Sequence, residues 1–228
     1  MMYKFGNLDE LGIKYNTDKA SLYNTGQSII QAHDYLKRYE LFLCNLVDEE
    51  FALVELGCFK GSSLKMWKEY FKNAHIIGVD LNEELKLIED ERIKFICADA
   101  TSRDLVNILK NELLEIKCII DDCSHAWADQ RISFEQLFPL ISSGGYYIIE
   151  DLECGSGGAY ANFPPKVYDA QSFWDYSMDR LKILRVSENC NQTNFRPFFN
   201  QLPTHIQEIE KSIDMCIIIP GAIIFRKK

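Results

Sequence analysis

A short apolar run at residues 117–122 ends in two carboxylates, Asp121 and Asp122, and His125 follows three residues after the second. The pattern recurs downstream, where Tyr-Tyr-Ile-Ile runs straight into Glu150 and Asp151. Unbroken apolar runs are typical of buried parallel strands, and ligands bind just beyond the carboxyl ends of such strands. Two neighbouring strands of this kind would direct four carboxylates and one imidazole at one crevice. Groups of these types can hold a cation and accept a proton.

The elements that would position these groups follow from the order of apolar runs along the chain. Apolar runs alternate with helical patterns of about 10–15 residues, which predicts an α/β fold with a doubly wound parallel sheet. Each of five predicted strands ends in an acid, and packing alone does not explain this. The acids are Glu55, Asp80, Asp99, Asp121 with Asp122, and Glu150 with Asp151.

Elements at the two ends of the chain are predicted to flank this sheet. The segment 11–19 has too little periodicity for a core helix, whereas the spacing from about Ile29 to Leu46 predicts a helix that caps the domain. At the other end, residues 213–219 and 222–225 are predicted to form a hairpin through Pro220-Gly221 that closes the sheet.

We therefore divide the chain into an N-terminal helical cap, 1–48, and a ligand-binding domain, 49–228. Two long connections, 152–172 and 188–203, are predicted to be substrate loops, because loops of this length in compact domains are usually functional or disordered. The first begins at the acidic crevice, so we expect it to form a lid.

The acidic balance of the chain argues against nucleic-acid binding. Its 228 residues include 34 Asp and Glu against 25 Lys and Arg, a net charge of −9, whereas non-specific nucleic-acid binding needs a basic face. No run of about eighteen apolar residues predicts a membrane span, and the N-terminus lacks the apolar core of a signal peptide. The eight cysteines include no C-x-x-C pair, so we expect reduced thiols in a cytoplasmic protein.

The turn after the first strand of the predicted sheet has the pattern E-x-G-x-x-x-G, from Glu55 through Gly57 to Gly61-Ser62-Ser63. Glycine lets a backbone approach a ligand closely, and an acid before the turn suits a ligand with an ammonium group. The turn lacks the G-x-G-x-x-G pattern of dinucleotide folds, so it does not predict a bound pyrophosphate. An ordinary strand–helix turn is the alternative interpretation.

Acids after the next two strands complete a predicted cofactor site. Asp80 lies about twenty residues after the turn, where an acid can accept both hydroxyls of a ribose, although it could instead cap a helix. Asp99-Ala100 could bind an adenine amino group or, equally, cap the following helix. Together with the turn they predict a nucleoside with an amino-acid tail and no diphosphate, which is S-adenosylmethionine (SAM). Asp121 lies between this site and the second acid cluster, and it could simply stabilise a turn.

These features resemble the class I SAM-dependent methyltransferases, and further motifs narrow the resemblance. The motifs are D-D-x-S-H at 121–125, I-E-D-L at 149–152, T-D-K at 17–19, and H-x-Y with a later Y-E at 33–35 and 39–40. They resemble the metal-dependent sugar O-methyltransferases of macrolide and capsule pathways, and the related family described as cephalosporin hydroxylase or rhamnosyl O-methyltransferase. The resemblance implies a Rossmann-like, mostly parallel seven-stranded sheet.

It also implies roles for the acids and the histidine. A divalent cation, Mg²⁺ or Mn²⁺, would be held by Asp122, Glu150 and Asp151, and His125 would be the general base. Cys123 departs from the family, which often has glycine there, without removing a ligand. All-oxygen ligands suit Mg²⁺, and a bound cation would acidify the reacting hydroxyl.

The predicted function is transfer of a methyl group from SAM to a hydroxyl of a small-molecule sugar, either nucleotide-activated or a precursor of a polysaccharide or natural product. Alternatives remain open: a phenol, amino-acid derivative or phosphate as acceptor, or a non-catalytic SAM-binding protein. If the protein forms a homo-oligomer, the N-terminal helix and the edge hairpin are the candidate interfaces.

Overall fold

The computed structural model describes residues 7–152, 154 and 203–228. The α-helices in these residues are α1 (Leu8–Tyr15), α2 (Leu36–Leu43), α3 (Ser62–Tyr70), α4 (Arg103–Lys110), α5 (Trp127–Leu137) and α6 (Thr204–Ser212). The strands are β1 (Leu22–Asn24), β2 (Ile29–Gln31), β3 (Ala52–Leu56), β4 (His75–Asp80), β5 (Ile93–Cys97), β6 (Ile116–Asp121), β7 (Ile141–Ile149), β8 (Ile213–Ile219) and β9 (Ala222–Lys227). The predicted substrate loops lie outside the described residues except at their ends, so the lid stays a prediction.

A seven-stranded sheet with the order β5-β4-β3-β6-β7-β9-β8 forms the centre of the fold. The first five strands of this order, β5, β4, β3, β6 and β7, pair in parallel, and β9 pairs antiparallel with both β7 and β8. The predicted α/β sheet and its closing hairpin are therefore confirmed. The order reverses between β3 and β6, and ligands of open α/β sheets bind at such a switch point.

Helices cover both faces of the sheet, because each central strand alternates its side chains between two apolar cores. In β3, Leu53 belongs to the core shared with α1, α2 and α3, whereas Val54 belongs to the core shared with α4, α5 and α6. Every residue of β3 is buried. Burial on both faces explains why this strand is an unbroken apolar run except for Glu55.

The N-terminal part differs from the prediction in two ways. The segment 11–19, assigned too little periodicity for a core helix, overlaps the helix α1, which buries Leu8, Leu11 and Gly12. The predicted helix from Ile29 is wrong before Leu36: residues 22–31 form the β1–β2 hairpin. Asp34 has φ +55°, a left-handed conformation that a continuous helix does not contain. Packing of α1 against the sheet core, which local periodicity does not report, explains the first difference, whereas the β1–β2 hairpin has no buried residue and is held by its own strand pairing. The division at residue 48 is an untested prediction.

Two expectations drawn from composition concern the membrane and the cysteines. None of the helices among the described residues has the length and apolar character needed to cross a membrane. The seven cysteines in this part of the chain are free thiols, as predicted. Four of them lie in or beside the central strands, at Cys58, Cys97, Cys118 and Cys123.

Candidate active site

The turn after β3 lies against the end of β6. Gly57 has φ +81°, and a Cβ at this position would lie 2.1 Å from the carbonyl oxygen of Asp122. The amide of Asp122 donates to the carbonyl oxygen of Leu56 at 2.9 Å. No side chain fits in so short a distance, so glycine is required here. This contact joins the predicted cofactor turn and the acids of β6 in one site.

A cavity of about 650 Å³ opens at the carboxyl ends of β3 to β6, within the size range of small-molecule sites. Most of the predicted site residues line it: Glu55, Gly57, Ser62, Ser63, Asp80, Asp99, Ala100, Asp121, Asp122, His125 and Asp151. Gly61 and Glu150 of the predicted set do not. Gly61 precedes α3 with φ +73°, and a Cβ there would lie 2.4 Å from Ile88.

Asp80 and Asp99 stand at the cavity and also order the local backbone. Asp80 accepts from the amide of Cys58 at 2.8 Å and from the amide of Asn82 at 2.9 Å. Asp99 accepts from the amide and the hydroxyl of Thr101 at 2.8 and 2.7 Å. Neither is the N-cap residue of the next helical segment, because Asn82 and Ser102 fill those positions. The helix-capping alternative is therefore not what the structure shows at either acid.

Two buried carboxyl oxygens on the cavity wall accept no hydrogen bond from the described residues: Asp121 Oδ1, and Glu55 Oε1, which lies 3.5 Å from the ammonium of Lys19. Burial raises the pKa of Glu55 to about 6, against the opposing effects of Lys19 and of the Trp67 indole, which donates at 3.0 Å. Burial likewise raises the pKa of Asp121 to about 7, although the hydroxyl of Tyr147 donates to it at 3.1 Å. Buried acceptors without donors are rare, so these atoms fit a ligand that donates hydrogen bonds.

Asp122, His125 and Asp151 form the cluster that could hold a metal ion, since they offer ligand atoms that all lie within 4.8 Å of one another. The His125 ring lies between the acids, with Nδ1 3.8 Å from Asp122 Oδ1 and Nε2 3.7 Å from Asp151 Oδ2. His125 and Asp151 have φ values of +55° and +54°. Left-handed conformations at non-glycine residues collect at functional sites.

His125 does not cap the helix α5 that follows it. The N-cap residue of α5 is Ala126, and its amide donates to the hydroxyl of Ser124 at 3.3 Å. The imidazole is thus left at the cavity wall, between the two acids.

Glu150, the third predicted metal ligand, does not line the cavity but contacts Lys19, which does. Its carboxylate accepts from the ammonium of Lys19 at 2.6 Å and from the hydroxyl of Tyr39 at 3.1 Å. Burial raises the pKa of Glu150, and the carboxylate of Asp122 adds to that increase, whereas Lys19 opposes it. Its assignment as a metal ligand therefore stays a prediction.

Residues of the N-terminal segment take part in the site, and no role was assigned to them from the sequence. Lys19 ion-pairs with Glu55, Asp122 and Glu150. Tyr35 donates to Asp151 at 2.8 Å, and His33 Nδ1 lies 3.6 Å from the same carboxylate. The T-D-K and H-x-Y motifs could have pointed to these residues. They entered only through the family resemblance, however, and gave no physical reason to place these residues near the acids. Apart from Glu55, these partners lie more than 100 residues away in the sequence.

Comparisons with known proteins find that this chain is similar to methyltransferases. Residues 33–143 match the profile of the family described as FtsJ-like methyltransferase. The chain is 32% identical over 165 residues to 8-demethyl-8-(2-methoxy-alpha-L-rhamnosyl)-tetracenomycin-C 3'-O-methyltransferase of Streptomyces olivaceus, which covers 68% of the chain and 40% of the relative. It is 28% identical over 153 residues to mycinamicin VI 2''-O-methyltransferase of Micromonospora griseorubida, covering 64% and 36%. The chain thus spans well under half the length of these relatives.

Among solved structures, the fold is similar to that of MycE methyltransferase from the mycinamycin biosynthetic pathway, determined in complex with Mg, SAH (the demethylated product of SAM) and mycinamycin VI. The TM-score is 0.74 at 20% identity, and the match covers 97% of this chain and 54% of that one. At this identity the likeness concerns the fold. The sheet order and this likeness show that the chain has the class I methyltransferase fold, and residues 33–143 resemble the FtsJ-like methyltransferases.

Proposed function

We propose that the protein transfers the methyl group of SAM to a hydroxyl of a sugar, with a divalent cation at Asp122 and Asp151 and with His125 as the general base. The observation that carries the proposal is the joining of two half-sites in one cavity. Glu55, Gly57, Asp80 and Asp99 line one part, and the acid–histidine cluster lines the other. A donor and an acceptor that bind there would lie next to each other, which accelerates transfer through positioning.

The donor half suits a nucleoside with a charged amino-acid tail. Its wall carries a buried oxygen of Asp121 that accepts no hydrogen bond from the described residues, and a buried oxygen of Glu55 whose charged neighbour is Lys19 at 3.5 Å. Asp80 is the last residue of β4 and Asp99 follows β5, so both stand where an acid can accept from a ribose or an adenine. We assign Gly57, Gly61, Ser62, Ser63 and Ala100 to the same half, with Gly61 acting by shaping the turn.

The acid–histidine half suits a hard cation and proton transfer. The bound cation would lower the pKa of a coordinated sugar hydroxyl, and the donor would present an electrophilic methyl group. Asp122 and Asp151 supply oxygen ligands, which Mg²⁺ and Mn²⁺ prefer. His125 stands between these acids at the cavity wall, where its imidazole can take the hydroxyl proton. Glu150, held by Lys19 and Tyr39, would support the site from behind.

A sugar acceptor is supported by the printed names of the relatives. The tetracenomycin enzyme is named for a rhamnosyl substrate, and a second relative from the same organism is named as the 2'-O-methyltransferase of a rhamnosyl tetracenomycin. These names do not extend to capsule polysaccharide, which we keep as one acceptor class to be tested beside natural-product glycosides and nucleotide sugars.

The test is a methyl-transfer assay with labelled SAM and a panel of those three sugar classes. We expect transfer to a sugar, loss of transfer in EDTA, and recovery with Mg²⁺ or Mn²⁺. His125→Ala should lower turnover by about 10²–10⁴-fold while calorimetric SAH affinity is retained. His75→Ala is the matched control, because His75 is exposed at the far end of β4.

The other outcomes separate the alternatives. Transfer only to a phenol, an amino-acid derivative or a phosphate would contradict the sugar as acceptor but would agree with methyl transfer from SAM. SAH binding without transfer to any acceptor would indicate a non-catalytic protein. Full turnover by His125→Ala would show that the base is assigned wrongly.

A further inference from the structure

Lys19 places a buried ammonium group in the centre of the site. The residue lies in the turn after α1, and its side chain is 2% exposed. Its carbonyl oxygen accepts from the amides of Tyr35 at 2.9 Å and Leu36 at 3.3 Å, so the start of α2 holds its backbone in place. A buried ammonium is unfavourable unless it is paired, which makes its partners decisive.

Those partners are three carboxylates from three strands of the sheet. Lys19 Nζ contacts Asp122 Oδ2, lies 2.6 Å from Glu150 Oε2 and lies 3.5 Å from Glu55 Oε1. Three carboxylates within ion-pair distance of one ammonium group stabilise its charged form. The group therefore bears a positive charge.

Asp122 stands between two positions for positive charge. Its Oδ2 contacts Lys19, whereas its Oδ1 lies 3.8 Å from His125, on the side of the Asp122–His125–Asp151 cluster. A carboxylate shared in this way is the arrangement of a two-metal site, in which two cations lie about 3.5–4 Å apart. Here the ammonium of Lys19 lies on one side of the Asp122 carboxylate, where one of two such cations would lie.

The charges of the described residues agree with a site that holds one ammonium group and one divalent ion. Glu55, Asp122, Glu150 and Asp151 meet at the site, and among the described residues Lys19 is the only Lys or Arg with which any of them forms an ion pair. One ammonium leaves an excess of negative charge, which suits one divalent ion. Without Lys19, the inner carboxylates Glu55, Glu150 and Asp122 would face one another without a cation, and such groups repel.

We propose that Lys19 is the resident second cation of a site bridged by Asp122, so that the protein binds one divalent ion rather than two. Lys19 is a positioning residue: it holds Glu150 and one oxygen of Asp122, and the outer position is left for the ion. The identity of the outer ion rests on the proposed function. A role limited to anchoring the N-terminal segment would leave the number of bound ions unchanged.

The test is the stoichiometry of Mn²⁺ binding, measured by calorimetry and by the electron paramagnetic resonance signal of free Mn²⁺. The wild type should bind one Mn²⁺. Lys19→Met should bind two, because the inner carboxylates then lack their cation, and the double variant Lys19→Met/Glu150→Gln should return to one. Lys14→Met is the matched control, since Lys14 is exposed and pairs with Glu69 away from the site.

Folding is monitored by thermal unfolding with and without Mn²⁺. If Lys19→Met unfolds in metal-free buffer, Mn²⁺ should restore its transition, and Glu150→Gln should restore it without metal. The proposal is overturned if Lys19→Met binds one Mn²⁺ with wild-type affinity, or if neither Mn²⁺ nor Glu150→Gln restores an unfolded variant. A wild type that binds no Mn²⁺ would instead refute the metal assignment of the proposed function.

Discussion

Replacement of Gly57 by alanine tests the close approach of β3 and β6. The new Cβ would lie 2.1 Å from the carbonyl oxygen of Asp122, and Gly57 has φ +81°. The left-handed conformation costs alanine about 1–2 kcal/mol, and the forced backbone shift adds about 1–3 kcal/mol. We therefore expect a loss of about 2–5 kcal/mol in the free energy of unfolding.

Gly144→Ala separates the two contributions. Gly144 has φ +79°, but a Cβ there meets nothing within 4 Å, so only the cost of the conformation, about 1–2 kcal/mol, applies. For a chain of this size each kcal/mol lowers Tm by about 2–4 °C. Gly57→Ala should also weaken calorimetric SAH binding by more than about tenfold, because the backbone of Asp122 must move. Equal Tm losses and unchanged SAH affinity in the two variants would refute the close approach.

Further predictions concern the buried acids. Tyr39→Phe removes the hydroxyl that donates to Glu150 at 3.1 Å and should lower the free energy of unfolding by about 1–3 kcal/mol. Tyr15→Phe, at an exposed hydrogen bond to Glu69, should change it by less than about 0.5 kcal/mol. Equal effects of the two variants in denaturant titration would contradict the buried hydrogen bond. Because burial raises the pKa of Glu55 to about 6, protonated Glu55 favours the folded state, and Glu55 should contribute a loss of about 2 kcal/mol in metal-free protein as pH rises from about 4.5 through 6. Burial of Asp121 adds a loss of the same sign, so Glu55→Gln should reduce the pH slope without abolishing it, and an unchanged slope would exclude a contribution from Glu55.

The N-terminal segment connects stability and site chemistry more closely than a separate cap would. Tyr35 and Tyr39 stack at 5.7 Å, and their hydroxyl groups donate to the consecutive acids Asp151 and Glu150. The same helix holds the backbone of Lys19. Removing this segment would therefore take away the donors of the acids as well as apolar packing.

Much of the fold could be predicted because its signals are local. A strand buried on both faces must be apolar throughout, and the helices between strands show their own period, so β3 to β7 and the closing hairpin are visible in the sequence. The prediction of secondary structure was least accurate in the N-terminal region. The helix α1 and the β1–β2 hairpin contain few residues, and short elements depend on contacts with the rest of the molecule more than on their own propensity.

The sequence by itself determined which acids stand at the carboxyl ends of the strands. Chain direction and the parallel order place Glu55, Asp80, Asp99 and Asp122 at one edge of the sheet, whatever the side-chain conformations are. Only the tertiary structure decided what each acid contacts. It turned Glu150 toward Lys19 and Tyr39 and gave Asp122 one neighbour on each side. These contacts depend on how the N-terminal segment packs on the sheet, and no local pattern of residues encodes a distance between segments so far apart in the chain.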